Sequence, residues 1–171
     1  FDTPESIRED IEIIKKELPL DILEFFILTP LPGSLDHKVL YEKGEWMDPD
    51  MNRYDGEHAV STHATMSKEV WEEVYQSAWR TFYTREHMET LLLRGAAMKC
   101  SQSRLVSFIY MFGSSVPIEG VHPLQGGLLR RKHRLERRPG MPIEPIWSFY
   151  PKYAAELLTK TAREIRLAYW L

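Results

Sequence analysis

Apolar residues recur at helical spacing along most of this chain and read as a strand in one place. Ile7, Ile11, Ile14 and Leu18 follow at intervals of four, three and four, which is one stripe of a helix. Thr3 suits the cap of that helix, Pro4 its first position and Glu5 its positive end, and Pro19 stops it at Leu18. Residues 22–29, Ile-Leu-Glu-Phe-Phe-Ile-Leu-Thr, are apolar on both faces towards their end, as a buried parallel strand is. Helix, short loop and apolar strand form half of a βαβ unit, whose first strand is expected to end near Phe1.

Pro32-Gly33 marks a turn, and residues 31–64 read as mostly irregular, with a short helix from Leu35 to Lys43. A loop this long inside a compact domain is usually functional. From Ser67 the pattern becomes helical throughout. Val70, Trp71, Val74, Tyr75, Ala78, Trp79 and Phe82 give a wide apolar face on a helix running to about Tyr83. Thr84 caps a second helix holding Met88, Leu91, Leu92 and Ala96, and a third covers Ser103 to Phe112. A last helix starts near Pro151 and carries Ala154, Leu157, Leu158, Thr161 and Ile165 on one side.

Composition narrows the chemistry. The chain has 171 residues, 43% of them hydrophobic, enough for a sizeable core. No apolar run approaches the ~20 residues a membrane span needs, and no secretory leader is visible, so a cytoplasmic location is expected. Cys100, the single cysteine, can form no internal disulfide and cannot by itself hold a zinc or iron–sulfur site. Residues 1–60 carry 15 acids against 6 bases, and residues 61–171 carry 10 acids against 16 bases. Two differently charged solvated surfaces explain that asymmetry; mutual attraction is the sharper alternative.

Three segments in order, Asp-Thr-Pro-Glu-Ser-Ile from Asp2, Leu28-Thr-Pro-Leu-Pro-Gly-Ser34, and Tyr54-Asp55-Gly56-Glu57-His58, resemble the late part of radical S-adenosylmethionine enzymes. The likeness is nearest to members that carry a cobalamin-binding domain ahead of the barrel. Residues 127–132, Gly-Leu-Leu-Arg-Arg-Lys, and Phe149-Tyr-Pro151 resemble the C-terminal extension of that group more weakly. The resemblance implies an α/β remnant, mostly α: one or two strands closing a partial TIM-type barrel in residues 1–64, then a helical extension in 65–171. It implies a parent iron–sulfur enzyme that cleaves S-adenosylmethionine to a 5′-deoxyadenosyl radical at a [4Fe–4S] cluster held by C-x3-C-x2-C. This chain lacks that motif, so alone it is expected to be inactive and to hold neither cluster nor cobalamin. Asp2, Thr3, Leu28, Thr29, Pro30, Leu31 and Gly33 are then expected on the cofactor side, and Tyr54, Asp55 and His58 towards substrate. An ordinary strand-to-helix turn explains residues 29–33, and a satisfied surface loop explains the second set, without any ligand.

Other chemistry is thinly signalled. His58 and His63 have neither helix-face nor common zinc spacing. Residues 130–138 carry six positive side chains against one acid. A helical protein- or nucleic-acid-binding module using them is the alternative function, although no stacking platform, helix-turn-helix or zinc motif accompanies them. No nucleophile elbow or phosphate loop occurs. The missing N-terminal part of the parent is the expected partner, together with self-association through the unpaired strand at 22–29.

Overall fold

A computed structural model describes residues 2–126 and 129–171. Phe1 and the start of the 127–132 run, both named above, lie outside the described residues. Six α-helices carry the fold: α1 Pro4–Glu17, α2 Leu35–Glu42, α3 Lys68–Phe82, α4 Arg85–Ala97, α5 Gln102–Ser114 and α6 Ile146–Trp170. Their starts follow local chemistry. Thr3, Ser34, Ser67 and Thr84 each accept a backbone N–H of the first turn, and Thr3 with Ser6 closes a reciprocal capping box.

The expected barrel remnant is not there. Among the described residues no strand forms, and the β pairing present is one antiparallel bridge between Met47 and Ser61. Residues 22–29 form an extended segment outside any strand, and burial alternates only near its end: Ile22 to Phe25 are half-buried, Ile27 is buried, and Phe26 and Leu28 face solvent. What is missing is a neighbouring ladder. Their backbone groups are satisfied piecemeal instead. Ile27 N–H donates to Gly56 O at 2.7 Å, and the Tyr83 hydroxyl donates to Leu23 O at 2.8 Å while accepting Leu23 N–H at 3.1 Å. An apolar, β-prone run specifies extended backbone, but a sheet also needs a second chain segment at pairing distance.

The chain divides into two units, one running to Ile109 and one Tyr110–Leu171. In the first, α1 lies on α3, with Lys15 reaching across to Thr81 O at 2.9 Å. Trp79, Phe82 and Leu91 are fully enclosed, and Phe25 meets Trp79 edge-on at 5.5 Å. In the second unit α5 ends in a π-helical turn, Ser115–Glu119, stopped by Gly120 in the left-handed region. Lys160 of α6 holds that turn, bonding Glu119 O at 3.0 Å and the buried Glu119 carboxylate at 3.2 Å. Helix α6 starts five residues before its expected beginning, so Pro151 sits inside it. The sequence signal misled because proline favours a first turn, whereas here Pro145 is the residue flanking the helix.

The long stretch from 45 to 66 is pinned rather than loose. Asp48 N–H donates to Val60 O at 2.9 Å, and the Asp48 carboxylate meets Arg53 at 3.1 Å and Lys68 at 3.2 Å. Glu72 of α3 accepts both Arg53 and Ala59 N–H at 3.1 Å. Ala59 and Val60 are wholly buried.

Candidate functional site

The extended segment, the start of α1, helix α2 and residues 61–66 surround a cavity of about 640 Å³. That is within the range of small-molecule sites, which run from about 300 to 1,000 Å³. Asp2, Leu28, Thr29 and Pro30 line it, joined by Phe26, Asp36, Val39, Leu40, His63, Met66 and Trp71. Its construction follows from the local chain. Alternation along 26–30 turns Phe26 and Leu28 outward, and Pro30 is buried. Thr29 Oγ1 donates back to Ile27 O at 2.9 Å and so braces the extended backbone. Ser34 then starts α2, which brings Asp36, Val39 and Leu40 to the opposite wall.

Two further contacts fix the floor. The His63 ring lies 4.9 Å from that of Trp71, in the first turn of α3. His63 Nδ1 accepts Thr65 N–H at 3.2 Å. The Thr65 hydroxyl donates to Asp2 O, tying this loop to the entry of α1. The walls thus offer aromatic faces at Phe26, His63 and Trp71, carboxylates at Asp2 and Asp36, and aliphatic surface between them. Such a lining suits a flat heteroaromatic ligand that also carries positive charge.

Other expected site residues are placed elsewhere. The Thr3 side chain is committed to capping α1. Leu31 and Gly33 form the turn into α2, Gly33 at φ +91° and Leu31 57% exposed. Neither they nor Thr3 line the cavity. Tyr54, Asp55 and His58 also stand outside its lining and bond mainly within their own loop. Tyr54 donates to Asp48 O at 2.9 Å, and burial pushes its phenol up. Asp55 accepts the backbone N–H groups of Glu57 and His58 and meets the His58 ring at 2.8 Å. Asp48 is the one carboxyl of this region held below its usual range, first by the Asp50 N–H and then by Lys68 and Arg53. Phe26, Asp36, His63 and Trp71 were not legible in the sequence as parts of one lining. Alternation along 22–29 pairs Phe26 with Leu28, but nothing local links either to Trp71.

Among the described residues no three His, Cys, Asp or Glu side chains cluster as metal ligands, and no helix is long and apolar enough to cross a membrane. The basic stretch is partly engaged within its own unit. Lys132 meets Glu156 at 2.6 Å, Arg134 donates to Glu144 O at 3.1 Å, and Arg137 lies 5.6 Å from the Phe149 ring centre. Arg130 and Arg131 stay exposed. No protein-family model, no curated protein and no solved structure matches the chain.

Proposed function

We propose that this chain is the C-terminal part of a radical S-adenosylmethionine enzyme of the cobalamin-containing group, and that its cavity supplies part of the wall on which S-adenosylmethionine rests. One observation carries the reading. Asp2, Leu28, Thr29 and Pro30, assigned to the cofactor by motif resemblance alone, line a single cavity of suitable size although 26 residues separate the first two. The lining also fits the ligand's chemistry. Trp71 and Phe26 offer aromatic surface for an adenine ring, Asp2 and Asp36 offer charge for the ammonium and sulfonium groups, and Leu28, Val39 and Leu40 offer aliphatic surface. With its single thiol the chain cannot hold a [4Fe–4S] cluster, so the electron that cleaves the cofactor comes from elsewhere in the enzyme. The role of these residues is to bind and orient.

The test is anaerobic expression of the whole reading frame that contains this chain, followed by iron analysis and electron paramagnetic resonance with and without S-adenosylmethionine. The expected result is a reduced [4Fe–4S] spectrum perturbed by the cofactor. Leu28→Arg, which sets a positive charge beside the cationic ligand at a side chain 80% exposed, should raise the S-adenosylmethionine concentration needed for that perturbation at least tenfold, about 1.4 kcal/mol, with iron content unchanged. A reading frame without C-x3-C-x2-C, or protein without iron, overturns the proposal.

A further inference from the structure

Helix α6 has an inward and an outward face. One carries Phe149, Lys160 and Glu164 into the second unit. The other is open to solvent. Trp147, Tyr150, Leu158, Ile165 and Tyr169 are 80%, 54%, 72%, 63% and 93% exposed. At about 100° per residue these five fall within roughly 100° of arc, so they form one stripe along the helix. Ala154 and Ala168 fall within the same arc and Ala155 and Ala162 lie along its edge, all exposed. No charged residue interrupts this strip. A helix surface facing only water normally carries charge there, and its absence over 25 residues calls for an occupant.

We propose that this face is a homodimer interface in which α6 packs antiparallel against α6 of a second copy, with Leu158 on the two-fold axis. A two-fold contact makes residue i meet j and j meet i, and about Leu158 most of the stripe finds an uncharged counterpart, Tyr150 alone falling opposite a charged residue, Arg166. Trp147 and Tyr169 lie eleven residues to either side, Pro151 and Ile165 seven, Ala154 and Ala162 four, and Ala155 and Thr161 three. Antiparallel pairing about that centre sets Trp147 level with Tyr169 of the second copy, and Ala154 level with its Ala162. Large side chains meet at both ends, and small ones beside the central leucine let the helix axes approach. No like charges are brought together.

The open area approaches what a stable pair buries. At roughly 200 Å² per aromatic side chain, Trp147, Tyr150 and Tyr169 leave on the order of 450 Å² open on each copy. Two copies therefore contribute ~900 Å² before the aliphatic residues are added, which brings the pair towards the 1,200–2,000 Å² of stable interfaces.

Sedimentation equilibrium on the 171-residue chain, with Cys100→Ser variants for crosslinking, tests this. The wild-type chain should be a dimer at micromolar concentration. Leu158→Arg sets two like charges on the axis and should raise the dissociation constant at least ~30-fold, the size of a central hot-spot loss, with helical circular dichroism unchanged. If that variant fails to fold, Cys100→Ser/Leu158→Cys decides. Under mild oxidation it should give a covalent dimer, while Cys100→Ser/Leu28→Cys, on the other exposed apolar segment, should not. A wild-type monomer at ~100 µM overturns the proposal and leaves the stripe to a different protein. Crosslinking through position 28 and not 158 also overturns it, and moves the interface to residues 22–29.

Discussion

The Tyr83 hydroxyl does at one point what a neighbouring strand would do along several residues. It accepts Leu23 N–H and donates to Leu23 O, and so fixes the start of the extended segment that walls the cavity. Tyr83→Phe should leave both backbone groups without that partner and cost about 1–3 kcal/mol, the usual penalty for orphaned part-buried polar groups. Chemical denaturation measures the loss, and amide exchange at Leu23 should quicken with it. Unchanged exchange there would show that the segment is held by Phe25 packing on Trp79 instead. At the same segment's far end, Gly56 adopts φ +78° while its carbonyl accepts Ile27 N–H. A Cβ at that position would come within 3.1 Å of the Phe26 ring. Gly56→Ala therefore combines left-handed strain of ~1–2 kcal/mol with a push on a cavity wall. A lowered melting temperature together with altered ligand affinity is the expected result.

At the scale of elements, periodicity and caps predict the helices well because both are local. The stripe from Ile7 to Leu18, the Ser67 and Thr84 caps and the Val70–Phe82 face each place a helix within two residues of its observed bounds. The run at 22–29 reads as a strand on equally local grounds, yet no strand forms there, because pairing depends on what the rest of the chain sets beside it. The same limit explains the site: Leu28, Thr29 and Pro30 form one motif, but their meeting with Trp71 and His63 depends on α3 folding back over α1. Pro151 shows the opposite failure, in which a true local preference is outvoted by packing on both sides of it. That residue removes one interior helical bond from α6, the one its N–H would donate to Trp147 O. Pro151→Ala should stabilise the second unit by ~1–3 kcal/mol if the restored N–H reaches Trp147 O without clash. Thermal melts followed at 222 nm give the sign, and a destabilised variant would mean that the ring of Pro151 contributes more to the second unit than the missing helical bond costs.

Across the whole molecule, the two units should respond to pH in opposite directions. In the first unit His87 is buried against Phe82, ring centres 4.6 Å apart. Burial lowers its pKa from the usual 6.5, the charges of Lys15 and Arg94 lower it further, and Glu12 partly opposes them. Unfolded chain takes up that proton near pH 6.5 while folded chain resists, so this contribution is present above 6.5 and is lost as pH falls towards the folded value. In the second unit Glu164 of α6 is 5% exposed. Burial raises its pKa above the usual 4.5 and Glu119 adds to the rise, while Tyr110, Ser114 and Lys160 pull it down. That contribution is full below 4.5 and is lost as pH climbs through the folded value. Amide exchange corrected for its intrinsic pH dependence reads each unit separately. From pH 5 to 7, protection should rise in α4 and fall in α6. His87→Gln should flatten the first slope and leave the second, while Glu164→Gln should flatten the second and raise stability at pH 7. Parallel slopes in the two units, or slopes that survive both substitutions, would assign the pH response to surface carboxylates rather than to these two buried groups.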